Sequence, residues 1–344
     1  MNTPAVRTFG VACAFALASS AGLAQSVKIT PLGSHAGELC AQDRATLFAD
    51  PTGVRILYDA GRSVTGSDDP RLGDVHVVLL SHAHADHMGD RKMKALGAGT
   101  CEQPETVSAA PHSTTAEIAA AKNSALVMIA PMGAFISRKI DNLRGKPTGN
   151  CPQTGPDLVP PFGAPCQALV HLGGTRIFKS ADASRGVEIT TVPASHDSTV
   201  ARELLSDPEK ANLAADNVSL YLGPPSGYVI RFTTGLTVYL SGDTAIHAEM
   251  KTVVADFHKA NLMLLNMGPS AITGLSATYA VNELVKPAAV IATHVNESAT
   301  TDGKLKPNSR TAAFTAMIKG RPVYPALSGR TMEFDGNAKC VAGC

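Results

Sequence analysis

The segment Ser81-His82-Ala83-His84-Ala85-Asp86-His87 places three imidazoles and a carboxylate within six positions. An apolar run, Val75 to Ser81, leads straight into it and reads as a strand buried on both faces, with a helix expected over residues 86–96. On an extended chain His82 and His84 point the same way, because side chains alternate with period two. Once the backbone turns into the helix, Asp86 and His87 face the same point. Imidazole nitrogens and carboxylate oxygens are the donors that zinc takes. A histidine-rich surface loop would bind nothing, but a Val/Leu strand running directly into the cluster argues for a built site.

Three more candidate ligands each follow a strand-like run. His196 lies in Val192-Pro-Ala-Ser-His-Asp-Ser, Asp243 in Tyr239-Leu-Ser-Gly-Asp-Thr, and His294 in Val290-Ile-Ala-Thr-His. Together with the first segment, which has the form H-x-H-x-D-H, they resemble the metal motifs of the metallo-β-lactamase superfamily, in the same order. The resemblance implies an α/β fold, a four-layer αβ/βα sandwich with its metals at one edge of two sheets. It implies two Zn²⁺, with Fe or Mn as alternatives. One cation would take His82, His84 and His196, the other Asp86, His87 and His294, and Asp243 would bridge them beside a shared water. Asp86 and Asp243 are then the candidate catalytic groups, as acceptors or relays of a proton. Gly33-Ser-His-Ala-Gly and Ile291-Ala-Thr-His294 are most similar to a lactonase-like branch. True β-lactamases of this fold generally lack Asp at the bridging position.

That ligand set implies hydrolysis by a metal-bridging hydroxide. A small ester, lactone or related carbonyl compound is the expected small-molecule substrate. A small phosphodiester is the nearest alternative, because two metals also clamp a phosphoryl displacement. Iron-based oxygen chemistry and a non-catalytic periplasmic metal-binding protein are further readings; intact residues at all seven positions weigh against the last. No G-x-S-x-G elbow precedes His196, so Ser195 is not read as a nucleophile. Asp197 is placed to orient an imidazole or to stand solvated, and His35, His112, His171 and His247 lie in loops where a general acid could sit. Tyr279 reads as packing.

The remaining elements must hold these residues. Strands are expected at 27–31, 44–49, 54–60, 106–110, 125–130, 168–172, 175–178 and 187–192, a hairpin at 227–241, and strands at 262–266 and 288–293. Helices are expected from Ser113 onward and over 134–143, 246–258 and 277–285, with a helix and a strand at the C-terminus. Residues 145–166 are too rich in Pro and Gly for regular structure and read as an insertion. With no flexible linker between the halves, residues 25–344 form one domain.

In 344 residues, Lys+Arg number 30 against 29 Asp+Glu, which leaves no basic excess for a phosphate backbone and excludes nucleic acid as an expected partner. The run Phe9 to Ala18 followed by Gly22-Leu-Ala24 reads as a signal peptide over residues 1–24, so the expected location is periplasmic or secreted. The run is too short to span a bilayer, and no membrane association is expected after cleavage. Of 7 cysteines Cys13 leaves with the signal; Cys40, Cys101, Cys151, Cys166, Cys340 and Cys344 remain for up to three disulfides, with Cys151–Cys166 the first expected pair. Nothing in the sequence reports the oligomeric state.

Overall fold

Strand residues alternate between two apolar environments, and this alternation sets the layers. In the strands Arg55–Tyr58, Val77–Leu79 and Ala125–Val127, the side chains of Ile56, Tyr58, Val77, Leu79, Ala125 and Val127 enter one core. Leu57, Val78 and Leu126, pointing the opposite way, enter a second core with Ile118, Met132, Phe135, Ile136 and Ile140. Both faces of these strands are therefore covered, as parallel strands require. The protein is described by a computed structural model for Met1, residues 25–153 and residues 155–344. The expected signal segment lies outside the described residues.

Two mixed sheets face each other across the first core. In spatial order, one contains Cys340–Ala342, Met332–Phe334, Val27–Pro31, Thr46–Ala49, Arg55–Tyr58, Val77–Leu79, Ala125–Val127 and Cys166–Gln167. The other contains Val323–Pro325, Ala289–Thr293, Leu262–Asn266, Thr237–Leu240, Ser226–Arg231, Val187–Pro193, Thr175–Phe178 and Asp157–Leu158. The helices Thr114–Lys122 and Ala130–Arg144 cover the outer face of the first sheet. Those at Met250–Phe257 and Gly274–Val285 pack on the second through Met250, Val254, Ala277 and Val281. This is the expected four-layer α/β sandwich. Among the described residues no helix is long and apolar enough to cross a membrane.

Several expected elements differ. The helix over residues 86–96 is only Ala85–Met88, and Arg91–Met93 is a strand paired with Thr106–Ser108. Gly89 stops the helix at φ 76°, where a Cβ would lie 2.4 Å from the Gly61 carbonyl oxygen and 2.5 Å from Thr114 Oγ1. In place of the strand over 168–172, only Cys166–Gln167 pairs as a strand. The helix expected over 246–258 begins at Met250. An exposed helix at Asp207–Ala215 was not expected, although Ser206 and Glu209 form a capping box there. The Ser113 cap is as read, its Oγ accepting from the Ala116 amide.

The Pro/Gly-rich insertion is mostly irregular, yet it supplies an edge strand to each sheet: Asp157–Leu158 beside Thr175–Phe178, and Cys166–Gln167 beside Ala125–Val127. The Cys151–Cys166 disulfide closes it, and Cys40–Cys101 and Cys340–Cys344 pair the other four cysteines. Cys151 and Cys166 are both buried. With the two half-cystines 15 positions apart, loop-closure entropy assigns that crosslink about 3 kcal/mol. Replacing both by Ser is expected to lower the urea unfolding free energy by about that amount. An unchanged midpoint would show that the insertion is ordered without the crosslink.

Candidate metal centre

The seven residues predicted from the sequence converge where strands end. His82 to His87 follow the strand Val77–Leu79; His196 follows Val187–Pro193, Asp243 follows Thr237–Leu240 and His294 follows Ala289–Thr293. Three overlapping sets are formed: His82, His84 and His196; His82, His87 and Asp243; and Asp86, His87 and His294, the donor atoms of each set lying within 4.8 Å of one another. The first and third are the two expected triads, and Asp243 stands between them.

The hydrogen bonds behind the rings fix which nitrogens face inward. A carboxylate only accepts, so Ser81 Oγ donates to Asp59 Oδ2 at 2.7 Å and His87 Nδ1 donates to the same oxygen at 2.8 Å. With its proton committed, Ser81 Oγ accepts from His82 Nδ1 at 2.9 Å. Asp197 Oδ2 accepts from His84 Nε2 at 3.2 Å. The outward nitrogens being donors, His82 Nε2 and His84 Nδ1 meet as lone pairs at 2.9 Å. His87 Nε2 lies 3.0 Å from His294 Nε2, and the Nδ1 of His294 is buried with no hydrogen-bond partner among the described residues. Facing nitrogens at such distances need a proton or a cation between them, and the donor set suits a borderline cation.

Carboxylates complete the ring. Asp243 Oδ2 lies 3.6 Å from His87 Nε2 and 3.8 Å from His196 Nε2, while its Oδ1 lies 3.3 Å from His294 Nε2. Asn266 Nδ2 donates to Asp243 Oδ1 at 3.0 Å. Asp86 Oδ2 lies 3.5 Å from His294 Nε2 and 3.8 Å from His87 Nε2, and Arg44 donates to it through Nε at 3.1 Å and Nη2 at 3.0 Å. Burial opposes ionisation of Asp86, but His87, His294 and Arg44 outweigh it and hold the carboxyl well below the usual range. Asp243 is held low in the same way by His294 and His87 against its burial. For His87 burial works against the charge, yet Asp243, Asp86 and Asp59 push its pKa up to about 10. Burial, reinforced by the neighbouring His87, keeps His82 well below its ordinary value.

Asp59, Arg44 and Asn266 were missed in the sequence. Asp59 follows the strand Arg55–Tyr58 at φ 43° and is buried. The signal for it was an apolar strand ending in Asp-Ala-Gly, a short run of common residues. Arg44 was read only as a strand start. Asp197 does orient an imidazole. His35 contacts Ser34 and Gly99, His171 the Leu172 carbonyl and His247 Glu249, so none of the three is hydrogen-bonded to the cluster.

Residues 38–294 match the family model described as the β-lactamase superfamily domain. The chain is 26% identical over 347 residues to a UPF0173 metal-dependent hydrolase of Polynucleobacter asymbioticus, covering 95% of this chain and 98% of that protein. A UPF0173 metal-dependent hydrolase of Cupriavidus metallidurans is 28% identical over 277 residues, covering 77% of this chain and 76% of its own. Among solved structures, Igni18, a metallo hydrolase from Ignicoccus hospitalis, has the same fold with a TM-score of 0.54 at 20% identity, covering 90% of this chain and 99% of that one. With the family match spanning more than half of its length, the chain belongs to the β-lactamase superfamily, among the metal-dependent hydrolases of that fold.

Proposed function

We propose that the protein is an exported dinuclear zinc hydrolase that cleaves a small ester, lactone or related carbonyl compound. The observation that carries this reading is the pair of close nitrogen–nitrogen contacts, His82 to His84 and His87 to His294, each within reach of a carboxylate shared by the two halves. His82, His84 and His196 would hold one cation and Asp86, His87 and His294 the other, with Asp243 between. When bound there, two such cations would supply Lewis acidity, making a nearby water more acidic and a carbonyl more electrophilic. Asp59 and Asp197 keep the ring nitrogens in the ligating tautomer, and the inward oxygen of Asp243 can take up a proton released beside it. Fe or Mn in place of zinc would leave these roles unchanged.

The lactonase-like reading rests on the sequence segments around Gly33 and His294 and on Asp243. Export to the periplasm or beyond rests on the N-terminal apolar segment, with the three disulfides in support. The balanced charge supports a small-molecule substrate and no nucleic-acid or membrane partner for the processed chain.

The test is turnover by the zinc-loaded protein on a panel of esters, lactones, phosphodiesters and a β-lactam. Turnover in the carbonyl class is expected to disappear on chelation and to return with zinc. In His84→Ala it is expected to fall by roughly a hundredfold or more, since a ligand contributes at least as much as the residues that orient it. Turnover that survives both would overturn the mechanism.

Asp59→Asn keeps the side-chain size but cannot accept from both the amide and the hydroxyl of Ser81 as well as from His87. Zinc affinity is expected to fall by roughly 10–100-fold while the fold, followed by circular dichroism, is retained.

A proton held on His87 up to about pH 10 must leave before that nitrogen can ligate. Protonated His87 competes with the cation, so affinity rises with pH. Zinc binding by calorimetry is expected to tighten by about tenfold per pH unit for that proton between about pH 6 and 8; a flat profile would exclude its displacement.

A further inference from the structure

Asp86 is held from outside the cluster by one residue. It sits in a helix of only four residues, Ala85–Met88, and its side chain is 29% exposed. Apart from the facing imidazoles, its only hydrogen-bond donors among the described residues are Nε and Nη2 of Arg44, both on Oδ2. Arg44 is itself buried and fixed. Its Nη1 donates to the carbonyl oxygens of Ala41 and Asp43 at 3.2 and 3.1 Å, and Nη2 also donates to Asn296 Oδ1 at 2.5 Å. Every nitrogen of the guanidinium group is thus engaged. The stem is confined as well, because a Cβ on Gly61 would lie 2.9 Å from Arg44 Cβ and 2.7 Å from the Asp86 carbonyl oxygen.

The turn that carries Arg44 is tied to the Cys40–Cys101 disulfide. The Asp43 amide donates to the Cys40 carbonyl at 3.2 Å, and Asp43 Oδ2 accepts from the Cys40 amide at 2.9 Å. Ala41, whose carbonyl receives Arg44, donates its amide to the Cys101 carbonyl at 3.1 Å. On the other side of the half-cystine, Leu39 accepts from the Ala299 amide at 2.9 Å and donates to Thr300 Oγ1 at 2.8 Å, in the segment that follows His294. The crosslink therefore lies between the supports of two ligands of one triad, Asp86 and His294. The other triad is held differently, His82 by Ser81 and His84 by Asp197. Among the described residues no hydrogen bond joins His82, His84 or His196 to residues 33–44.

We propose that Arg44 is the positioning residue of Asp86 and that the Cys40–Cys101 crosslink holds Arg44 in place, so that both set the affinity for the cation of the Asp86, His87 and His294 triad and not that of the other triad. The proposal rests on the two-cation reading above. A hydrogen-bonding partner behind a ligating carboxylate contributes roughly 10–100-fold to metal affinity. The rival explanation is charge. A guanidinium 3.0 Å from a ligand oxygen repels a cation, and on that account Arg44 weakens binding. The geometry favours positioning, because without Arg44 no donor outside the cluster holds the Asp86 carboxyl group in one orientation.

The test is zinc binding by the metal-free protein in competition with a chromophoric chelator, with the fold followed by circular dichroism. The parent is expected to bind two zinc ions. In Arg44→Gln, and in Cys40→Ser combined with Cys101→Ser, one of the two is expected to bind roughly 10–100-fold more weakly and the other as in the parent. Arg44→Lys, which keeps a charged donor, is expected to recover part of the loss. Once His294→Ala has broken that triad, adding Arg44→Gln is expected to cost nothing further. Cys151→Ser combined with Cys166→Ser also removes a crosslink and lowers stability, so a general loss of stability would act alike in both pairs; here both affinities are expected to stay unchanged. Parental affinities in Arg44→Gln would overturn the proposal, as would tighter binding there, a loss shared equally by both cations, or an equal loss in the Cys151 and Cys166 pair. A parent that binds one zinc ion would overturn the two-cation reading and this inference with it. The expected pattern without turnover of any ester or lactone would leave this inference standing and defeat the proposed reaction.

Discussion

Two oxygens of one buried carboxyl group organise the centre. Asp59 accepts the Ser81 amide on Oδ1 at 2.8 Å, and on Oδ2 it accepts both the Ser81 hydroxyl and His87 Nδ1. A buried acceptor in this position must be satisfied by donors, and each donor it engages has a consequence further in. Taking the His87 proton leaves Nε2 pointing at His294. Taking the Ser81 proton makes Ser81 an acceptor, which draws the proton of His82 outward and turns Nε2 of that ring inward as well. One carboxyl group thus sets two rings, one in each triad. Its left-handed backbone, at φ 43°, is a strained position for an aspartate, of the kind found where the surrounding structure over-determines a site.

The two sheets bring the donors together by tying the same short loop from both sides. Ser226, in the second sheet, donates its amide to the Ser81 carbonyl at 2.8 Å. The Tyr228 hydroxyl, buried between the sheets, donates to the Leu80 carbonyl at 2.7 Å and lies 3.1 Å from that of Val127. Gly242, just before Asp243, has φ 61°, and a Cβ there would lie 2.8 Å from the Ser226 carbonyl oxygen and 3.3 Å from Ser81 Cβ. The segments carrying His82 and Asp243 therefore approach as closely as the backbone allows. Ligands past the ends of parallel strands are a consequence of this geometry, since those strands point their carboxyl ends to one edge.

The site was legible in the sequence to the extent that its residues are chemically unusual. Four ligating side chains in six positions at a strand end, then His196, Asp243 and His294 each after an apolar run, form a pattern few other folds produce. The residues that organise them carry no such pattern. Asp59, Arg44 and Asn266 are ordinary polar residues whose role comes from contacts across 22, 42 and 23 positions, which periodicity cannot reveal. The same holds for the elements. The buried strands were readable from their apolar runs, but the expected helix after Asp86 was halted by Gly61 and Thr114 crowding Gly89, a tertiary constraint. The capping box at Ser206 was a local signal and could have been read.

Asp243 decides how the two halves can communicate. Its Oδ1 is already engaged by Asn266 and lies nearest to His294, whereas Oδ2 lies within 3.6 Å of His87 and 3.8 Å of His196. A single carboxyl group therefore touches rings from both triads, its Oδ2 reaching one ring of each and its Oδ1 a second ring of the Asp86 triad, and the Asn266 bond on Oδ1 restrains its rotation. Its charge is favoured by the imidazoles around it despite its burial. A neutral side chain at this position would leave two separate sets of nitrogen donors with less negative charge between them. With the carboxylate present, both triads face one negative charge. Any cation held by either triad would therefore share the charge of this one carboxylate.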